Sequence, residues 1–279
     1  MHIFLTLLLL ALFTPLVQEP EEETELLVFA AASLTDAFTE LGETFTEANP
    51  HIRVTLNFAS SSTLATQLSN GAPADVFASA NPRQMEVTTE ADRIGTDPVI
   101  FARNRLVLMV PADNPAEIES LADLQTPGLL LILAAPEVPV RDYTDTMLER
   151  MANDPDYGEV FREAVLANLI SEEANVRQVV TKVALGEADA GIVYSSDITP
   201  DIAEDVITFE IPEIYNTIAE YPVAITNDTE HPEAAQAFVD FILSDEGQAI
   251  LAKWGFIPLE TEAAESTPEV TPEASSGNS

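Results

Sequence analysis

The sequence predicts an α/β protein built as two lobes, and three observations carry that reading. Short apolar runs alternate with segments of helical periodicity from about Leu26 to Trp254, as in a fold of strands followed by helices. The 279 residues, 46% of them apolar, exceed the length that one core usually serves. One local device recurs in both halves: an apolar run stops at small or polar residues that open a helix, at Ser33, Ser61, the 139–141 turn and Val176.

Leu26 to Ala31 reads as a buried strand. Leu34, Ala37, Phe38, Leu41 and Phe45 follow at helical spacing until Asn49-Pro50 stops them. Ile52, Val54, Leu56 and Phe58 alternate with polar residues, which predicts a second strand. Ser60-Ser61-Ser62 then opens a helix that ends at Gly71. Asp75–Ala80 predicts a short strand, Pro82 to about Thr89 a helix, and Leu106–Val110 a strand. In the second half Leu129–Ala134 is an apolar run, Pro136–Val140 a turn, Asp142–Met151 a helix, and Tyr157 to Leu169 another. Asn175 opens a helix whose Val176, Val179, Val180 and Val183 share a face. Ala190–Tyr194 predicts a buried strand ending in the polar turn Ser195-Ser196-Asp197. Val206–Phe209 and Thr217–Ile225 follow, and two helices over Pro232–Leu243 and Ser244–Trp254 close the chain.

The ends differ from this body. Ile3 to Val17 is an apolar run of signal-peptide length, short for a membrane span, and implies export with cleavage near 17–24; an uncleaved anchor is the alternative. The first 25 residues thus read as an export signal and an acidic spacer, Glu19–Glu25. The last stretch, 260–279, is rich in Glu, Thr, Pro and Ser and predicts a disordered tail.

Composition removes several functions. The chain has no Cys, which excludes disulfides, a Cys-based zinc site, a Cys nucleophile and a lipid-anchored N-terminal cysteine. With 11 Lys and Arg against 48 Asp and Glu, a net charge of -37, it is no partner for nucleic acid, whose phosphates need cations. An anionic small ligand remains open, because at physiological salt the field is screened beyond about 8 Å. So acidic a body, with only Lys182 and Lys253 as lysines, fits solubility in a saline exterior.

The recurring strand-to-helix turns hold the chemistry. At a helix start up to four N–H groups lack intrahelical partners and the dipole adds about half a positive charge, so an oxyanion is held without a basic side chain. The hydroxyls of Ser33, Ser61 and Tyr194 add donors. A lone Ser such as Ser33 would otherwise read as an ordinary helix N-cap, and Tyr194 as core. Other constellations fail. His2, His51 and His231 have no metal spacing, and the acidic runs lack the spacing of an EF-hand. No Gly-x-Ser-x-Gly motif or phosphate-loop lysine occurs, and Asp75 reads as a residue that orients its turn rather than as a base. Arg141 and Arg177 read as ion-pair partners of nearby acids rather than as ligands, Arg141 with Asp142 or another carboxylate.

Four ordered motifs resemble those of the periplasmic molybdate-binding proteins: Phe29-Ala30-Ala31-Ala32-Ser33-Leu34, Phe58-Ala59-Ser60-Ser61-Ser62-Thr63-Leu64, Gly71-Ala72-Pro73-Ala74-Asp75-Val76 and Gly191-Ile192-Val193-Tyr194-Ser195-Ser196-Asp197. The match extends from about Leu26 to Pro258 and includes Glu220-Tyr221-Pro222-Val223 and Trp254-Gly255-Phe256. Pro139-Val140-Arg141 departs from it by placing a side chain at 141, where that family has Gly.

The resemblance implies a type II periplasmic-binding-protein fold, each lobe a mixed sheet flanked by helices, with the ligand in the cleft. Lobe 1 is expected over 26–103 and 222–259 and lobe 2 over 104–221, with crossings at about 102–106 and 219–223. Carried over by motif, the ligand donors are Ser33 and Ser61 from the first lobe and the N–H groups of Val140 and Val176 with the phenol of Tyr194 from the second. Any molybdenum is met only through the oxyanion. Trp254 and Phe256 are expected to pack the last helix onto the first lobe.

The implied function is a monomeric extracytoplasmic receptor, without cofactor or catalysis, that captures molybdate or tungstate for the permease and ATPase of an ABC importer. A donor-only site suits an oxyanion without a proton, which includes sulfate; hydrogen phosphate would leave its proton unpaired at a cost of about 1–3 kcal/mol. Receptors for sulfate or thiosulfate, and an enzyme on the same fold, are the alternatives. For an enzyme the sequence offers no nucleophile or acid/base group in the cleft.

Overall fold

A computed structural model describes residues 23–259. The expected export signal, the residues of the acidic spacer up to 22 and the 260–279 tail lie outside the described residues. The strands, in chain order, are β1 (Thr24–Ala31), β2 (Ile52–Ala59), β3 (Val76–Ala78), β4 (Val99–Asn104), β5 (Leu106–Pro111), β6 (Leu131–Ala134), β7 (Leu169–Glu173), β8 (Ala190–Tyr194), β9 (Val206–Glu210) and β10 (Ala219–Ile225). The helices are α1 (Thr35–Ala48), α2 (Ser61–Ser69), α3 (Pro82–Glu90), α4 (Pro139–Ala152), α5 (Gly158–Ala167), α6 (Val176–Ala184), α7 (Pro232–Leu243) and α8 (Asp245–Lys253).

The strands form two five-stranded sheets, β2-β1-β3-β10-β4 and β7-β6-β8-β5-β9. The two orders are equivalent. Each sheet has a parallel core of three strands, then one antiparallel strand that comes from just beyond a crossing between the lobes: β10 in the first and β5 in the second. This is the α/β, two-lobed architecture expected. The repeated topology explains why one strand-to-helix device serves both halves without a sequence repeat.

Burial follows the periodicity. Phe38 of α1 meets Phe101 and Phe238 with ring centroids 5.6 and 6.3 Å apart, locking α1 and α7 onto the first sheet. In α6 the stripe Val176, Val179, Val180 and Val183 is buried against the second sheet. Gly191 of β8 permits this approach: a Cβ there would sit 2.7 Å from Val179 Cγ1. Trp254 donates to Glu40 Oε2 at 2.7 Å and Phe256 packs on Tyr221 at 5.4 Å, which seats the end of the chain on the first lobe.

The structure adds two strands that the sequence does not announce. β4 follows Pro98 with a mixed apolar and polar pattern, and β7 begins where the preceding helix is expected to end. Asn168 stops α5 and donates to Leu124 O and Thr126 O at 2.8 Å, which turns the chain into β7. Three boundaries shift. Thr24 and Glu25 pair with Ile52 and Arg53, so they belong to β1 rather than to a solvated spacer. β10 is in the first sheet from Ala219, opposite Asn104, so the second crossing precedes Ala219 and does not fall over 219–223. Asn104 likewise belongs to β4 and the first sheet, and the first crossing is at Arg105. The two crossings are tied together: Asn216 donates to Leu106 O at 2.9 Å and accepts from Leu106 N at 3.2 Å. No helix among the described residues is long and apolar enough to cross a membrane.

Candidate functional site

Ligands gather at the carboxyl ends of strands in open α/β sheets, and both sheets point those ends at one cleft. β1 leads into a 3-10 turn at Ala32–Leu34, β2 into α2, β6 into α4 and β7 into α6. Between them lies a small, tight cavity. Ser33, Ser61, Val140, Val176 and Tyr194 all line it, with Ala31, Ala32, Ser60, Ala80, Val138, Pro139 and Asn175. Ser33 and Tyr194, 161 positions apart in sequence and from motifs in different halves, thus meet. Among the described residues no charged side chain lines this cavity.

Each donor has a local cause. Ser60 is the N-cap of α2 and accepts from Thr63 N at 3.2 Å, which leaves Ser61 as the first helical residue. Ser61 Oγ accepts from Ala80 N at 2.9 Å, so its own proton is available to a ligand. Asn175 caps α6 in the same way, accepting from Gln178 N at 3.1 Å, and puts Val176 first. The helix α4 starts at Pro139, three residues before the expected helix and inside the expected turn, because Pro suits a first helical position. Pro139 has no N–H, so that of Val140 leads the helix, while Arg141 N and Asp142 N bond back to Val138 O at 2.8 and 3.2 Å.

The reading of Ser33 as a helix N-cap is corrected. Ser33 is the middle residue of its 3-10 turn and makes no capping bond. Its hydroxyl stands 3.1 Å from Tyr221 Oη. Asn104 Nδ2 donates to that phenol at 3.4 Å and to Ser196 Oγ at 2.7 Å. Either hydroxyl can donate in this pair; with Tyr221 as the donor, the proton of Ser33 is free to turn toward the cavity.

Tyr194 is 1% exposed, and its Oη has no hydrogen-bond partner within the protein. A buried hydroxyl of this kind is costly unless something in the cavity accepts from it. Burial pushes its phenol well above the ordinary range, so it is a donor at every physiological pH. Behind it Asp197, fully buried, accepts from Tyr194 N at 3.1 Å, and burial pushes its carboxyl up to about 7.

Arg141 turns away from the cavity. Its Nε donates to Asp145 Oδ1 at 2.8 Å and its Nη1 to Glu172 Oε1 at 2.7 Å and Ala134 O at 3.1 Å. It is therefore an ion-pair partner, as expected, though of Asp145 and Glu172 rather than Asp142. Asp75 accepts from Leu27 N at 2.7 Å and from Thr229 Oγ1, a purely orienting role. The sequence reading passes over Asn104 and the part played by Tyr221. Tyr221 lies within a quoted motif, but nothing in the motif reveals a partner 188 residues away.

The geometry is one of neutral donors around a small cavity, with three helix N-termini directed at it. A family model for bacterial extracellular solute-binding proteins matches residues 26–257. The chain belongs to that family. This solute-binding protein is 40% identical over 231 residues to the molybdate-binding protein ModA of Mycobacterium tuberculosis, covering 83% of this chain and 84% of that one. Among solved structures, the periplasmic molybdate-binding protein of Azotobacter vinelandii aligns with a TM-score of 0.72 at 21% identity, over 84% of this chain and all of that one. The sulfate-binding protein SubI of Mycobacterium tuberculosis H37Rv aligns at 0.75 and 20%, over 85% and 88%. These two establish the fold. The family is one of extracytoplasmic binding proteins rather than enzymes, and the resemblance drawn from the four motifs holds.

Proposed function

We propose that this solute-binding protein captures molybdate, and tungstate with it, and presents it to the permease and ATPase of an ABC importer. Ser33 and Ser61 donate from the first lobe, and Val140 N–H, Val176 N–H and Tyr194 Oη from the second. The observation that carries the reading is the unpartnered phenol of Tyr194, buried at the wall of a cavity that the Ser33 and Ser61 hydroxyls and the Val140 and Val176 N–H groups also line, with no charged side chain among its lining residues. An oxyanion without a proton satisfies such a set, whereas hydrogen phosphate brings a proton with no acceptor. The starts of α2, α4 and α6 each contribute about half a positive charge, which offsets a dianion within an acidic body. The receptor acts as a monomer outside the cytoplasm after its export signal is removed. The 40% identical molybdate-binding relative favours molybdate over sulfate.

Calorimetric titration tests this reading, with molybdate, tungstate, sulfate, thiosulfate and phosphate run separately and sulfate also as competitor. Molybdate and tungstate bind with 1:1 stoichiometry, and excess phosphate leaves the isotherm unchanged. Sulfate binding tighter than molybdate reassigns the cargo, and absence of heat or stabilisation with every oxyanion removes the proposal.

A further inference from the structure

Two close ion pairs cross the cleft outside the cavity, and a longer contact of 3.9 Å from Arg83 Nη2 to Glu137 Oε1 supports the second of them. On one flank Arg177, the residue after Val176 in α6, donates through Nη2 to Asp36 in the first turn of α1. On the other, Arg83 of α3 donates through Nη1 to Asp142 Oδ1 of α4 at 3.0 Å, and Asn81 Nδ2 reaches Asp142 Oδ2 at 3.2 Å. Gln84 Nε2 adds a bond to Glu137 O at 3.0 Å on that flank. The polarity is exchanged: the second lobe supplies the cation of one pair, and the first lobe that of the other.

Their placement is specific. With 11 basic residues against 48 acids, two are spent on joining the lobes to each other. Asp36 lies three residues after Ser33, Asp142 two after Val140 and Arg177 one after Val176, so each clasp is fixed to a helix start or turn that lines the cavity. Arg177 also has partners in its own lobe, with Nη1 3.3 Å from Asp197 O and 3.9 Å from Asp197 Oδ1. It therefore keeps a hydrogen-bond partner in its own lobe when the lobes part, while Asp36 loses its partner. Both pairs exist only with the lobes together, so they favour that state over one in which the lobes are apart.

We propose that Arg177 with Asp36 and Arg83 with Asp142 form a pair of electrostatic clasps that hold the lobes shut over the bound oxyanion and set its rate of release. The inference rests on the cavity being the ligand site. Interactions made only on closure act on dissociation rather than on encounter.

The test is the release of radiolabelled molybdate from the full chain into excess unlabelled molybdate, for wild type, Asp36→Asn, Asp142→Asn, the double variant and the charge exchange Asp36→Arg with Arg177→Asp. Each single substitution speeds release about fivefold, as for a half-buried pair worth near 1 kcal/mol. Association changes by less than about twofold. The exchange recovers much of the wild-type rate, which a role of Arg177 confined to Asp197 would not produce. Wild-type release rates in both single variants overturn the clasps and leave the ligand site standing. Failure of the wild type to retain molybdate removes the ligand assignment and the clasps with it. Melting of the unliganded variants checks that they fold.

Discussion

Ser33 and Tyr221 meet hydroxyl to hydroxyl at 3.1 Å, although 188 residues separate them. Ser33 follows the first strand of the first sheet and Tyr221 lies in β10, just after the second crossing. Tyr221 accepts from Asn104, which lies just before the first crossing. One chain of hydrogen bonds thus links the ligand cavity to the point where the chain passes between lobes. Tyr221→Phe frees Ser33 to turn away from the cavity. Loss of one such bond is worth about 0.5–1.5 kcal/mol, so affinity for molybdate falls roughly two- to tenfold by calorimetry. Unchanged affinity would mean that Tyr221 does not aim Ser33.

Tyr194 and Ser61 differ in what they do without ligand, and their variants separate accordingly. Tyr194→Phe removes an unpartnered buried hydroxyl. The unliganded protein melts at the same temperature or higher, while molybdate binding weakens. Ser61→Ala strands the Ala80 N–H that Ser61 Oγ accepts at 2.9 Å. It lowers unliganded stability by about 1–3 kcal/mol and weakens binding as well. Calorimetry with thermal melts of both variants decides; equal losses of unliganded stability would contradict this division.

Asp197 predicts a pH dependence of stability. Burial pushes its carboxyl up to about 7, against an ordinary value near 3.9 in the unfolded chain. Between those values the native state holds a proton that the unfolded chain has released, so this group's contribution to stability declines as pH rises through that window. Asn in its place keeps an acceptor for Tyr194 N and removes the titration. Urea denaturation at pH 5 and pH 8 therefore shows the wild type losing stability relative to Asp197→Asn. Parallel behaviour of the two proteins would contradict the buried, raised carboxyl.

The parts of this molecule legible in its sequence are those set by local chemistry. Ser60 and Asn175 cap the helices behind Ser61 and Val176, and the valines of α6 fall at helical spacing. The five proposed donors come from such signals together with the four ordered motifs, and the structure brings them to one cavity. What escapes depends on partners distant in sequence. β7 runs on from the pattern of α5, and only the bonds of Asn168 to Leu124 and Thr126 separate them. Arg83 and Asp142 have no sequence relation that marks them as a pair, and Ser33 reads as a cap because Tyr221 cannot be placed beside it from spacing alone.

The most direct test of the oxyanion site is a crystal structure of the molybdate complex, with the metal located by anomalous scattering at the molybdenum edge. The expected result is one molybdenum peak inside the cavity, with oxyanion oxygens within about 2.5–3.2 Å of Ser33 Oγ, Ser61 Oγ, Tyr194 Oη and the N–H groups of Val140 and Val176. A peak elsewhere, or an oxyanion held by Arg83, Arg141 or Arg177 with Tyr194 Oη still unpartnered, would contradict it.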